Sequence, residues 1–359
     1  MVFIFLAALI TIVSLVTLHE LGHFILAKKF GVKVEEFGIG YPPRIFGKKV
    51  GETVYSLNLL PFGAFVRLYG ESEKIKDSRS FSGKPFWQKS LIILGGVISF
   101  WVVAFILFTI VMILGVPTVI GDNDNYPNSK IQIMAVIPDS PAGKAGIRIG
   151  DIILKIKDPQ TGIEKEIDKT KELQEFIKEN KGKEVILTIQ RGKEFLSFSL
   201  VPRISPPEGQ GPIGVALVRT ALKKYPWYLA PFEGAKTTVY LTGMVLKGWA
   251  SALINLIQRK PAGVELVGPV GVFGLFIQAG ELGLVYFLQF VAIISIFVAL
   301  TNVVPIPITD GGKFLLLTIE KIRGKEISSK VEQRINAFFF ALLIALMIWV
   351  TIKDISKFF

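Results

Sequence analysis

Residues 15–24 read LVTLHELGHF and contain both histidines of the 359-residue chain, in one HExxH motif from His19 to His23. They lie in residues 1–27, which contain no Lys, Arg or Asp and a single acid, Glu20. On a helix, positions i and i+4 share a face, so both imidazoles can bind one metal ion while Glu20 acts on its water. Ionisable groups are costly in an apolar span, which favours function over polar residues satisfied by neighbouring helices.

The composition excludes several classes of protein. Hydrophobic residues make up 51% of the chain and charged residues 19%, too apolar for an ordinary cytosolic enzyme or a disordered protein. The absence of cysteine excludes a disulfide framework, a thiolate metal site and a cysteine nucleophile. The net charge of +12 is, in so apolar a chain, typical of loops that face an anionic leaflet rather than nucleic acid. We therefore predict a membrane protein.

Four stretches are apolar and long enough to cross the bilayer as helices. They are residues 1–27, 90–121, 282–309 and 335–352, and the last three contain no acid or base. A fifth stretch, residues 237–258, has Lys247 near its centre and could either span or lie in the interface as an amphipathic helix. We predict about four transmembrane helices, with 237–258 at the interface.

Lysine and arginine predict the orientation of the chain. They are concentrated after the first span and between the last two spans, so both segments should face the cytoplasm. The N-terminus and residues 122–281 then lie outside, and both histidines lie near the cytoplasmic face. The third span brings Asp310 to that same face if residues 237–258 do not cross the membrane. If they did cross it, Asp310 would lie on the opposite side, so we favour an interfacial helix at 237–258.

Asp310 is the candidate for a third metal ligand. Catalytic zinc takes three protein ligands, and the chain offers no third histidine and no cysteine. Asp310 follows NVVPIPIT, in which Pro305 and Pro307 should end the helix, and broken helices at membrane depth are tolerated where they line a cavity. The alternative is that Asp310 only caps the next helix.

Two segments between the spans have strand patterns. Residues 54–60 and 64–69 predict two strands joined by a turn at 61–63. This β-hairpin beside the membrane is either a structural flap or an edge strand for an extended peptide. Residues 131–203 predict a soluble α+β domain, with strands at 131–137, 151–156, 184–190 and 195–201, a short helix at 142–145 and a longer one around 173–177.

The soluble domain resembles a PDZ domain in its bacterial, circularly permuted form. The resemblance rests on SPAGKAGIRIGDIIL from Ser140, and GPIGVAL from Gly211 resembles the segment that forms the peptide groove. PDZ domains bind extended or C-terminal peptides by strand addition. The alternative is a domain that merely blocks access to the membrane site.

With HELGH in the first span and NVVPIPITDGG in the third, the chain resembles the site-2 protease family. FGIGYPPRIF at 37–46, GPVGVF at 268–273 and EKIRGKEISSKVEQR at 320–334 extend the resemblance to nearly the whole chain. The nearest type is the bacterial regulator-of-sigma-E protease, a zinc-dependent intramembrane endopeptidase. The resemblance implies one Zn²⁺ held by His19, His23 and Asp310, Glu20 as general base, Asn302 as a contact to the substrate backbone, and a re-entrant β-loop at the hairpin.

Three positions depart from the pattern of the family. Thr309 stands where Leu is usual, Lys313 where His is common, and Ser99 where many members have Asn. None removes a ligand or the base, so activity is expected.

The fold expected is a polytopic α-helical membrane protein with one extracytoplasmic PDZ-like domain. Its parts are a membrane domain at 1–121, the PDZ domain at 122–218, a linker with the interfacial helix at 219–281 and a second membrane domain at 282–359. We expect a bacterial inner-membrane enzyme that cuts single-span substrates already trimmed by another protease, with the PDZ domain acting as a size filter for those substrates. Two alternatives stay open, which are a membrane zinc peptidase of the prenyl-protein type, with Glu as third ligand, and a non-catalytic PDZ scaffold.

Overall fold

A computed structural model of the chain describes residues 2–71, 73, 75, 77–192, 194–263, 267–325 and 327–356. It divides into two compact units. The first unit comprises residues 1–110, 231–278 and 288–359, and the second comprises residues 111–230 and 279–287.

The first unit is built mainly from long apolar helices. Five helices of the described residues are long and apolar enough to cross a membrane, and shorter helices join them. The five are α1 (Val2–Lys29), α2 (Phe86–Leu114), α5 (Ala230–Ile257), α7 (Leu284–Val303) and α9 (Ser329–Ser356), and the shorter ones are α6 (Pro269–Leu282) and α8 (Asp310–Arg323).

Four of these helices coincide with the four predicted spans, and α5 covers the stretch predicted to be interfacial. Leu241, Val245 and Trp249 of α5 pack against a buried cluster formed by α2 and α7, which includes Phe108 and Ile296. This packing is compatible with a helix that spans as well as with one at the interface. The interfacial position of α5 therefore stays a prediction.

Helix boundaries differ from the prediction at two places. The second predicted span extended to residue 121, but α2 ends at Leu114 and residues 116–120 form strand β3. Gly115 between them has φ of 116°, a conformation that only glycine adopts readily and that ends the helix. The helix α6 was not predicted, because its 14 residues with three glycines carry a weak helical pattern.

The β structure of the first unit is larger than the predicted hairpin. Strand β1 (Val34–Val50) pairs with β2 (Thr53–Leu68). Residues 36–39 of β1 have partners on both sides, 54–57 and 64–67, so the two halves of β2 flank β1 and do not pair with each other. The predicted pairing around 61–63 is therefore wrong. Strand β1 was not predicted, because Gly and Pro in FGIGYPPRIFGKK interrupt the residue pattern that is typical of a strand.

The second unit is a β sheet with two helices, which contains the four predicted strands and three that were not predicted, β3, β6 and β9. Strand order is β3-β9-β4-β5-β7-β8, with β6 paired to β5. A core of apolar side chains such as Ile131, Ile153 and Leu187 lies between the sheet and the helices. The elements are β3 (Val116–Ile120), β4 (Lys130–Val136), α3 (Pro141–Ala145), β5 (Ile152–Lys157), β6 (Glu164–Glu166), α4 (Thr170–Glu179), β7 (Val185–Arg191), β8 (Glu194–Leu200) and β9 (Val215–Lys223).

Candidate metal centre

His19, His23 and Asp310 converge on one point although 287 positions separate the second histidine from the aspartate. Nε2 of His19 and Nε2 of His23 lie 3.3 Å apart, and each lies 3.4 Å from Oδ2 of Asp310. All three residues are largely buried. Oδ2 of Asp310 is buried without a hydrogen-bond partner in the structure, so the cluster lacks a group that would satisfy it.

The two histidines project from α1 at the place where this helix crosses α2. A Cβ on Gly22 would lie 2.2 Å from the carbonyl oxygen of Gly95, so the two backbones meet with no room for a side chain. Small residues permit this kind of close crossing between membrane helices. A Cβ on Gly96 would lie 2.5 Å from Nε2 of His23 and 2.6 Å from Nδ1 of His19. Gly96 therefore leaves the space that the imidazoles occupy.

Contacts with α2 orient both imidazole rings. Nδ1 of His23 lies 2.8 Å from the carbonyl oxygen of Ile92 and donates its proton there, which leaves Nε2 of His23 with a free lone pair. The ring of His19 stacks on Phe100 with the centroids 4.8 Å apart. A hydrogen bond from the second ring nitrogen to a carbonyl is the usual way in which proteins orient a metal-binding histidine.

Asp310 reaches the histidines because the chain breaks between α7 and α8. Helix α7 ends at Val303, before Pro305 and Pro307 as the sequence predicted, and Asp310 is the first residue of α8. The N-cap is Thr309, whose Oγ1 accepts a hydrogen bond from the backbone N–H of Gly312 at 3.3 Å. Asp310 is thus free of the capping role, and the departure at Thr309 has a structural explanation.

Glu20 lies beside the cluster and contacts the β sheet. Its Oε2 accepts a hydrogen bond from the backbone N–H of Val66 at 3.1 Å. Residues 64–67, to which Val66 belongs, have one partner segment in the sheet register, residues 36–39, and so form an edge. Glu20, both histidines and Asp310 line one cavity of about 280 Å³ together with residues 64–66.

The cluster has the spacing and chemistry of a zinc site. Ligands at about 2.0–2.1 Å from a tetrahedral ion lie about 3.3–3.4 Å from one another, which the three donor atoms match. Two imidazoles and a carboxylate suit zinc among the common divalent ions. The three residues would supply the three protein ligands that catalytic zinc takes, and they line the cavity that Glu20 also lines.

The other residues singled out in the sequence lie close to this cavity. Asn302 lines it, and its Nδ2 donates a hydrogen bond to the carbonyl oxygen of Val298 at 2.9 Å. Lys313 also lines the cavity, and its Nζ lies 3.2 Å from Oε1 of Glu71, whose charge raises the pKa of Lys313. Ser99 lies one turn after Gly96, the glycine that leaves space for the imidazoles. Its hydroxyl donates a hydrogen bond to the carbonyl oxygen of Gly96 at 2.6 Å.

Three residues of the site were not singled out as functional in the sequence. Gly95 and Gly96 are visible there only as a glycine pair in an apolar span, which is a weak signal of a close helix crossing. Glu71 gave no signal, because its partner Lys313 is 242 positions away.

Comparison with known families identifies the chain. A family model described as peptidase family M50 matches residues 7–346. The chain belongs to peptidase family M50, the site-2 protease family. This M50 peptidase is thus a site-2-type zinc metalloprotease, as the sequence motifs predicted.

Relatives of this M50 peptidase match over almost their whole length. A protein of Clostridium perfringens named as a candidate zinc metalloprotease is 35% identical over 352 residues, which cover 97% of each chain. The regulator of sigma-W protease RasP of Bacillus subtilis is 27% identical, over 96% of each chain. Among solved structures, a PDZ domain of the SdrC-like protein from Listeria monocytogenes is 22% identical and covers 26% of this chain and 92% of that chain, with a TM-score of 0.22.

Proposed function

We propose that the chain is an intramembrane endopeptidase in which His19, His23 and Asp310 hold one zinc ion and Glu20 is the general base. The triangle of donor atoms, with sides of 3.3 and 3.4 Å, is the observation that carries this proposal. Glu20 supports it because it lines the same cavity as the three donors.

The residues present can carry out peptide hydrolysis. Bound zinc would supply Lewis acidity toward the scissile carbonyl and lower the pKa of water. Glu20 then accepts the proton of the attacking water and delivers it to the leaving amine, as a general base that becomes a general acid. The hydrogen bond from the N–H of Val66 orients the Glu20 carboxylate before substrate arrives.

The edge at residues 64–67 offers a way to hold the substrate. A transmembrane helix hides its carbonyl groups in hydrogen bonds, so it must unwind locally before it can be cut. An extended segment can then add to the free edge by backbone hydrogen bonds, with Asn302, which lines the same cavity, as a further contact.

The substrates would be single-span membrane proteins already trimmed outside the membrane by another protease. Release of an anti-sigma factor and clearance of signal-peptide remnants are reactions of this kind. The name of the Bacillus subtilis relative, a regulator of sigma-W protease, supports the first of them. We propose an inner-membrane location with the N-terminus and the second unit outside and the zinc site near the cytoplasmic face, because lysine and arginine are concentrated between the spans on that side.

The two alternatives make different predictions at the site. A prenyl-protein type of peptidase should bring a glutamate to the two histidines, whereas the third donor in the structure is Asp310. A non-catalytic scaffold would have no need for the Glu20 carboxylate in the same cavity as the three converging donors. Both alternatives are therefore disfavoured by the geometry.

The test is cleavage of a model single-span substrate by the wild type and by Glu20→Gln, with zinc quantified in both proteins. We expect the variant to keep its zinc and lose cleavage, because Glu20 is not among the converging donors. A matched His23→Gln variant should lose both. If the wild type holds zinc and cuts none of several trimmed substrates, the peptide-binding scaffold becomes the better proposal.

A further inference from the structure

A cavity of about 320 Å³ lies between the start of α2 and the end of α8, away from the metal cluster. Three lysines line it: Lys89 from the first turn of α2, Lys321 from the last turn of α8 and Lys325 just beyond. Gly324, with φ of 64°, ends α8 in the left-handed conformation that only glycine adopts at little cost. This turn keeps Lys325 beside the same cavity. We call it the lysine cavity.

Among the described residues, the lining of the lysine cavity carries three lysines and one acidic side chain, so positive charge is in excess. None of the three lysines forms an ion pair with any residue in the described part of the chain. The one acid in the lining, Glu320, accepts a hydrogen bond from the backbone N–H of Ile327 at 2.8 Å. Three ammonium groups in one concave site favour an anionic ligand.

The position of Lys89 along α2 indicates which kind of anion would bind. Residues 90–114 of this helix are uncharged, so Lys89 lies within one turn of the apolar part of a helix long enough to span. The phosphate groups of a bilayer lie at this boundary. Phe86 and Leu317 supply an apolar side to the cavity, and the ring of Phe86 packs on Phe314 of α8 with the centroids 6.3 Å apart.

We infer that the lysine cavity binds the headgroup of an anionic phospholipid, with the phosphate among Lys89, Lys321 and Lys325 and the glycerol end against Phe86 and Leu317. Basic pockets between helices at the cytoplasmic membrane surface are typical sites for such headgroups. A free phosphate or an acidic peptide would satisfy the charge but would leave the apolar side of the cavity without a partner.

A bound headgroup would join two helices that matter for the metal cluster. Helix α8 begins at Asp310, and α2 carries Gly96 beside the histidines. The lysine cavity shares Lys89 and Leu317 with a second cavity, which in turn shares Lys313 with the cavity at the metal cluster. The lipid therefore binds α2 and α8 together at the ends remote from the zinc ligands.

The experiment measures lipid retention by the full-length protein. The protein is reconstituted in nanodiscs of mixed phosphatidylglycerol and phosphatidylcholine, released into mild detergent, and examined by native mass spectrometry. The site variant carries Lys89→Gln, Lys321→Gln and Lys325→Gln. The matched control carries Lys29→Gln, Lys48→Gln and Lys49→Gln, which removes three exposed lysines of the same predicted face.

We expect the wild type and the control to retain one phosphatidylglycerol, and the site variant to retain it about 100-fold more weakly, since each lysine at an anionic surface contributes roughly fivefold. Equal weakening in both variants would show diffuse attraction and overturn the site. Displacement of the lipid by millimolar inorganic phosphate, or by an acidic soluble peptide, would overturn the assignment to a lipid headgroup. Circular dichroism of both variants keeps loss of folding apart from loss of binding.

Discussion

Gly96 lies so close to His23 that a Cβ at this position would be 2.5 Å from Nε2 of His23. The same Cβ would be 2.4 Å from Cε1 of His19. One glycine of α2 therefore sets the space in which both metal-binding rings of α1 lie. The rings cannot move far, because His19 stacks on Phe100 and His23 donates to the carbonyl oxygen of Ile92.

We expect Gly96→Ala to weaken zinc binding by at least about tenfold, the lower limit for changes in groups that orient metal ligands. Alanine in a helix interior normally stabilises a protein by about 1 kcal/mol relative to glycine. A lower thermal stability of Gly96→Ala would therefore run against this helix preference. Zinc content and thermal stability of the purified protein are the measurements.

Gly248→Ala is the control for the glycine, because a Cβ there meets nothing within 4 Å. It should keep zinc and activity and leave stability unchanged or raised. If Gly96→Ala binds zinc as tightly as this control, the histidines do not need the space at Gly96.

Thr309→Val should destabilise the start of α8 by about 1 kcal/mol, the usual cost of losing an N-cap. The hydroxyl of Thr309 lies 2.7 Å from the carbonyl oxygen of Val304, and it accepts the N–H of Gly312. Its loss frees the turn that carries Asp310, so we expect faster release of zinc to a chelator. Thr309→Ser keeps the hydroxyl and should release zinc at the rate of the wild type; equal rates for Ser and Val would exclude the capping role.

Much of this architecture could be predicted from the distribution of charge. Long apolar stretches with no charge or a single one predicted α1, α2, α7 and α9, and the prolines after Val303 predicted where α7 ends. The convergence of His19, His23 and Asp310 was predicted from the ligand number of zinc and from topology. These features depend on local pattern or on a count of crossings, which a single sequence contains.

The features that were missed depend on contacts between distant segments. The need for glycine at position 96 comes from the crossing of α1 and α2, whose register the sequence does not state. Strand β1 is stabilised by partners on both sides, and its glycines and prolines do not give an alternating pattern. The number of spans depends on whether α5 crosses the bilayer or lies at its interface. The composition of α5 is typical of either position, so its own sequence pattern does not decide between them.

The Lys313–Glu71 ion pair should help to position the edge strand. It joins α8, three residues after Asp310, to the turn that follows β2, and both side chains are partly exposed, at 47% and 31%. We expect Glu71→Gln and Lys313→Met each to raise KM severalfold, and the charge swap Glu71→Lys with Lys313→Glu to recover part of the loss. A coupling of about 0.5–1 kcal/mol is expected for an exposed pair.

The swap of Lys155 and Glu164, an exposed ion pair of the second unit at 3.2 Å, is the control and should leave KM unchanged. The charge of Glu71 raises the pKa of Lys313, so Lys313 stays protonated across neutral and mildly alkaline pH. No loss of activity in that range should trace to Lys313. If the swap is as impaired as the worse single variant, Lys313 acts through its own charge and not through the pair.

Asp122 should make the second unit sensitive to acid. Burial raises the pKa of Asp122, but hydrogen bonds from Thr170 and from the backbone N–H of Lys171 outweigh burial and lower it below its ordinary value. A depressed pKa stabilises the fold above the unfolded value, and this stability is lost as pH falls through the folded value. The protection factors of the amides in α4, taken against the intrinsic exchange rate at each pH, should therefore fall in the wild type below about pH 4.

In Asp122→Asn the same amides should exchange faster than in the wild type at neutral pH. Their opening free energy should fall by about 1 kcal/mol, because an ionised cap is replaced by a neutral one. As the pH falls through the lowered pKa of Asp122, the wild type and the variant should converge. A constant difference between them at all pH values would mean that the Asp122 charge contributes nothing.

Removal of the PDZ-like domain tests whether it selects substrates by size. Ile120 of β3 lies opposite Arg219 of β9 in an antiparallel ladder, so the chain enters and leaves this domain through paired strands.

Replacing residues 121–218 by Asn-Gly would close the two strands with a type I′ turn and keep the ladder of 116–120 with 219–223. We expect this variant to cut substrates with intact extracytoplasmic domains and the wild type to leave them uncut, while both cut trimmed substrates. Addition of Glu20→Gln to the deletion should abolish both activities and show that the cuts come from the same site. If the deletion variant keeps the selectivity of the wild type, the domain is not a size filter, and its peptide groove would have to act by binding.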